Sequence, residues 1–116
     1  MIRIYHNSRC SKSRSALALL EAQGKPFEVI NYLETPPSAA ELKTLLSQLG
    51  ITARQLLRTG EDIYQALQLN NPSFDEETLI AAMVDHPRLI ERPIVVVDGK
   101  ATIARPPEKV LAMFQG

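Results

Sequence analysis

One cysteine carries most of the chemical interest of this chain. Cys10 lies in HNSRCSKSRS, with His6, Arg9, Lys12 and Arg14 in the same short stretch. A thiolate is a strong nucleophile, and nearby cations or helix-terminal N–H groups raise its population at neutral pH. The competing reading is an inert buried thiol, since free cysteine is among the most buried residue types. The polar neighbours of Cys10 favour the reactive reading. Two familiar cysteine loops are excluded. A thioredoxin-type C-x-x-C needs a second thiol at the position held by Ser13, so no intramolecular mixed-disulfide resolution is available. A phosphatase-type loop needs arginine where Ala16 stands. One cysteine and two histidines also supply a tetrahedral metal site poorly, and no metal is expected.

Three arginines stand where elements begin or end: Arg58 before TGED, Arg92 before Pro93, and Arg105 before PPEKV. A guanidinium offers a planar fork of donors that matches two oxygens of a carboxylate or tetrahedral oxyanion. The plainer reading makes them surface ion pairs with Glu61, Glu91 and Glu108, and spacing alone leaves both open. Pro93, at the start of an apolar strand, is a candidate for a cis peptide bond.

The elements that must position these groups follow from periodicity. IRIY reads as a strand, His6 to Ser8 as a loop, and Ser11 to Gly24 as a helix with Ala16, Leu17 and Leu20 on one face. Cys10 therefore falls at a strand-to-helix turn. Phe27 to Leu33 reads as a second strand, and the intervening helix makes the unit βαβ with parallel strands. Ser38 with Glu41 forms a capping box for a helix that ends at Gly50; Thr52 caps the next, and Ser73 caps a later one. Residues of about 38–90 thus form a helical insertion. Ile94 to Val97 and Ala101 to Ala104 read as a hairpin around Asp98-Gly99, followed by a helix opened by Pro106 or Pro107. The expected architecture is α/β: a four-stranded mixed sheet with flanking helices and a helical insertion between the second and third strands.

Composition narrows the class. The 116 residues suit one domain, 1–116. Thirteen basic and thirteen acidic side chains give zero formal charge, which argues against nonspecific binding to nucleic acid or membrane. No apolar run approaches the roughly 20 residues of a membrane span, and the first residues lack a signal-like apolar core. A single cysteine suits a reducing compartment, so a cytoplasmic protein is expected.

YHNSRCSKSR, LLRTGE from Leu56, ERPIVV from Glu91 and ARPPE from Ala104 together resemble the glutaredoxin-linked arsenate reductase family, over essentially the whole chain. The resemblance implies a thioredoxin-like fold. It implies that the Cys10 thiolate attacks the arsenic of arsenate, that glutathione supplies the second thiol as co-substrate, and that glutaredoxin restores the resting enzyme. Arg58, Arg92 and Arg105 correspond to the arginines that hold the oxyanion. His6 corresponds to a histidine that tunes the cysteine, while Asn7, Ser13 and Arg14 match positions that shape the turn. No tightly bound cofactor is implied, and a monomer is expected. Ser8 and Ala104 depart from the usual pattern, in which proline and glycine are frequent. Two other readings are a monothiol glutaredoxin-like oxidoreductase and a non-enzymatic regulator of the same fold that binds RNA polymerase.

Overall fold

The computed structural model describes residues 1–114. The chain divides into two compact units, one built from Met1–Thr35 and the segment from Arg92 onward, the other from Pro36–Glu91. The first unit holds the sheet. Its strands are β1 (Ile2–His6), β2 (Glu28–Asn31), β3 (Ile94–Val97) and β4 (Lys100–Ile103), in the order β2-β1-β3-β4. β1 and β2 are parallel, joined by helix α1 (Ser11–Ala22), and the β1–β3 and β3–β4 pairs are antiparallel. This is the mixed sheet expected of a thioredoxin-like fold.

Alternation along the strands decides the core. Ile2, Ile4 and Val95 join Ala16 and Leu20 of α1, Ala104, and Val110 in one buried cluster. Removing such aliphatic side chains from water contributes about 1.5–3 kcal/mol each. β2 is short and exposed, with Val29 41% accessible, as suits an edge strand. It ends earlier than the Phe27 to Leu33 alternation suggests. The Asn31 carbonyl accepts from the N–H groups of Glu34 and Thr35, at 3.0 and 2.9 Å, and this turn takes Tyr32 and Leu33 out of the strand.

The β3–β4 connection follows its sequence signal. Asp98 and Gly99 both have positive φ, 49° and 86°, the combination that a two-residue turn with type I′ twist requires. The last helix of the described residues, α6 (Lys109–Ala112), begins later than Pro106 or Pro107. Those prolines instead supply carbonyls to Lys109 and Val110 N–H at 3.1 Å each.

The second unit is helical: α2 (Ala39–Leu49), α3 (Ala53–Leu56), α4 (Asp62–Ala66), α5 (Glu76–Asp85) and a 3-10 turn at Pro87–Leu89. Leu42, Leu45, Leu79, Ile80 and Met83 are buried in it. The Ser38 hydroxyl accepts from Glu41 N–H at 3.2 Å, and α2 stops at Gly50 in the left-handed conformation. The reciprocal capping box forms at Thr52 and Gln55. Ser73 does not cap α5: it bonds to the Asn71 side chain, and Asp75, nearer the helix, accepts from Thr78 N–H at 2.9 Å. Among the described residues no helix is long and apolar enough to cross a membrane.

Candidate active site

Register brings three chain segments to one end of the first unit's sheet. Tyr5 pairs with Ile94, and Ile94 with Ile103. The C-terminal end of β1, the N-terminal end of β3 and the C-terminal end of β4 therefore lie together. The residues just beyond those ends are Asn7, Arg92 with Pro93, and Ala104 with Arg105.

Cys10 occupies the N-cap position of α1, with extended backbone (φ −96°, ψ 121°). Its own N–H donates to Asn7 O at 3.0 Å, and its carbonyl accepts from Arg14 N–H at 3.0 Å. The thiol is half-buried. Burial alone would push its pKa up, the largest single influence on it. Opposing this are the Ser13 backbone N–H, a hydrogen bond from the Arg92 guanidinium, the Lys12 N–H and the Arg92 charge, and together they win. The result lies below the ordinary thiol value. This is how a helix start and one cation favour thiolate.

The cation at the sulfur is Arg92, not one of the basic residues that crowd Cys10 in sequence. Arg9 and Lys12 are exposed, and Arg14 is engaged in holding the loop, with Nη1 donating to Ser8 O at 2.8 Å. Asn7 fastens the same loop, its Oδ1 accepting from Arg9 N–H at 3.0 Å. Ser13, fully buried, does the most. Its Oγ accepts from Asn7 N–H at 3.0 Å and lies 2.6 Å from His6 Nδ1, in a bond whose direction follows the imidazole tautomer. Where a second thiol would sit in a C-x-x-C loop, this chain has a hydroxyl tied to β1 and an N–H aimed at the sulfur.

His6 is buried, and burial followed by the Arg14 charge lowers its pKa, against an opposing backbone hydrogen bond at Ser13. It reaches the cysteine turn through Ser13. A histidine whose folded pKa is depressed contributes stability that is fully present above its unfolded pKa and lost as pH falls through that value toward the folded one. Thermal melts should therefore fall on acidification from about pH 7 to pH 5. His6→Gln, which keeps a polar partner for Ser13, should flatten that dependence; an unchanged acid slope would contradict the assignment.

Arg105 joins the same end of the sheet, its Nη1 donating to Arg92 O at 3.3 Å. The Arg92–Pro93 and Arg105–Pro106 peptide bonds are both cis, and Pro93 O accepts from Ala104 N–H at 2.9 Å. Cys10, Arg92 and Arg105 thus belong to one unit. Arg58 lies in the other unit. Its Nη1 meets Glu91 Oε1 at 2.6 Å and its Nε lies 3.6 Å from Glu61, so two of the ion pairs foreseen as the plainer reading are present. Among the described residues no cluster of three metal-ligating side chains occurs.

With this geometry in place, likeness to known proteins becomes specific. The model of the ArsC family matches residues 5–113. The chain belongs to the ArsC family. An arsenate reductase of Neisseria meningitidis is 50% identical over 114 residues, covering 97% of each chain. YfgD of Escherichia coli, an uncharacterized protein, is 58% identical over 111 residues, 95% of this chain and 93% of that one. A solved structure of an arsenate reductase from Vibrio cholerae superposes with a TM-score of 0.94 at 52% identity, over 97% of both chains.

Proposed function

We propose that this protein reduces arsenate to arsenite through a covalent adduct on Cys10, with glutathione and glutaredoxin as reductants, in the reducing cytoplasm. The observation that carries the reading is a half-buried thiol held below its ordinary pKa by two helix-start N–H groups and Arg92, in a chain with one cysteine. Kinship with proteins named arsenate reductases supports the choice of oxyanion.

In the first step the Cys10 thiolate attacks arsenic, an S–As bond forms, an As–O bond breaks, and the hydroxyl oxygen leaves as water after taking one proton from solvent. Arg92 and Arg105 offset charge on the remaining oxygens as it redistributes, stabilisation of the kind that preorganised donors provide best. Arg58 is assigned as the third oxyanion ligand on the strength of its LLRTGE motif. Glutathione then adds a second thiolate to the adduct. Arsenic gains two electrons as its bonds to the two sulfurs break and those sulfurs join in a Cys10–glutathione disulfide. Arsenite leaves, and a glutaredoxin thiolate takes over the glutathione and releases Cys10 as the thiol. No tightly bound cofactor is invoked.

The test is arsenite formation by the purified protein supplied with arsenate, glutathione, glutaredoxin, glutathione reductase and NADPH. Turnover that requires all thiol components is expected. Arsenite at the enzyme-free rate, with brisk reduction of a glutathionylated peptide instead, would replace this reading by that of a monothiol oxidoreductase.

A further inference from the structure

We propose that the Glu91 carboxylate is an internal substitute for the oxyanion at Arg58, bound there until substrate displaces it. The proposal rests on the reading of Arg58 as an oxyanion ligand and adds the residue that sets how readily that ligand becomes available.

The pair is built by the backbone. Leu57 and Ile90 form an isolated antiparallel bridge. Beside it, Arg58 N–H donates to Leu89 O at 2.8 Å and Glu91 N–H to Leu56 O at 3.0 Å. The two side chains therefore start from neighbouring rungs, and rotation of either side chain changes their separation. Glu91 Oε1 sits 2.6 Å from Arg58 Nη1, the short contact of a charge-assisted hydrogen bond. It occupies the donor end of the fork, where an oxyanion oxygen would bind. Glu61 is different, since it approaches Nε at 3.6 Å, beyond good hydrogen-bond distance, and also lies 3.8 Å from Arg88 Nε.

Charge gives the argument its direction. Glu61 and Glu91 both lie against Arg58, so its positive charge is already answered by carboxylates before any anion arrives. An arsenate oxygen bound to Arg58 beside an undisplaced Glu91 would meet a like charge at the same donors. The carboxylate must swing away for that bond to form. Side-chain exposures of 22% for Arg58 and 27% for Glu91 keep both groups in contact with solvent, so the carboxylate is rehydrated when it leaves the fork. A carboxylate is a sound occupant of an oxyanion fork, because it satisfies the guanidinium with one charge where arsenate brings more. Glu91 thereby lowers the affinity for substrate and for every competing oxyanion.

Arsenate and sulfate binding should be titrated calorimetrically in a Cys10→Ser background, where no reduction occurs. Glu91→Gln and Glu91→Ala are expected to bind arsenate about fivefold more tightly, the ratio an ion pair of this exposure supports. Adding Arg58→Ala should erase the gain. No gain in either Glu91 variant, or a gain that survives Arg58→Ala, overturns the proposal. Arsenite formation by the wild-type protein answers the separate question of activity: tighter binding without turnover would sink the arsenate reductase reading and leave the exchange standing.

Discussion

Cys10→Ser should bring arsenite formation down to the uncatalysed rate, an expected loss on the order of a thousandfold or more. The reason is chemical more than steric. The Ser13 and Lys12 N–H groups and Arg92 lower the pKa of a thiol far enough to matter, but a serine hydroxyl starts too high for the same groups to ionise it. No other thiol exists in the chain to take over. Unfolding is not the expected cause, since Cys10 holds its place through backbone bonds to Asn7 and Arg14 that serine also makes. An unchanged circular dichroism spectrum with absent turnover is the expected pair of results. Retained turnover in the serine variant would end the covalent mechanism.

Arg92→Ala should have the second largest effect, because one side chain serves two roles. It hydrogen-bonds to the Cys10 sulfur and lowers its pKa, and it is assigned to hold the oxyanion. Loss of one preorganised donor of this kind costs about 100- to 1000-fold in rate. The two roles separate in a measurement without arsenate. Alkylation of Cys10 by iodoacetamide, followed against pH, reports the thiolate alone; its midpoint should move upward in Arg92→Ala and less so in Arg92→Lys, which keeps charge but loses the planar fork. A thiol whose folded pKa is depressed contributes stability present above its unfolded pKa and lost as pH falls through the folded one. Arg92→Ala should therefore also weaken the alkaline stabilisation of the fold. An unmoved alkylation midpoint would show that Arg92 does not act on the sulfur.

Much of this was legible in the sequence. Strong local signals placed Cys10 between a strand and a helix, and the Asp98-Gly99 turn and the stop at Gly50 appear where their residue types require. Local competition decided the misses. Ser73 and Asp75 are both good caps, and the one adjacent to the first helical N–H groups prevails; the Tyr32 end of β2 yields to a turn on Asn31. The site was legible in its parts but not in its pairings. Sequence proximity suggested His6, Arg9, Lys12 and Arg14 as the charges on the sulfur, whereas antiparallel register delivers Arg92 from the far side of the helical insertion. Ser13 was visible as an absent thiol; that its hydroxyl would couple His6 to Asn7 was not.

The β3–β4 register gives the hairpin a remote duty of its own. Side chains alternate faces along a strand, and β3 is held by β1, so a slip of one residue in the hairpin would turn every β4 side chain over. The Asp98-Gly99 turn pins that pairing from the end of β3 opposite Arg92 and Pro93. It works as an alignment gauge for chemistry it never touches: lengthening it by one residue would leave Cys10 and Arg92 in place and aim the Arg105 guanidinium elsewhere.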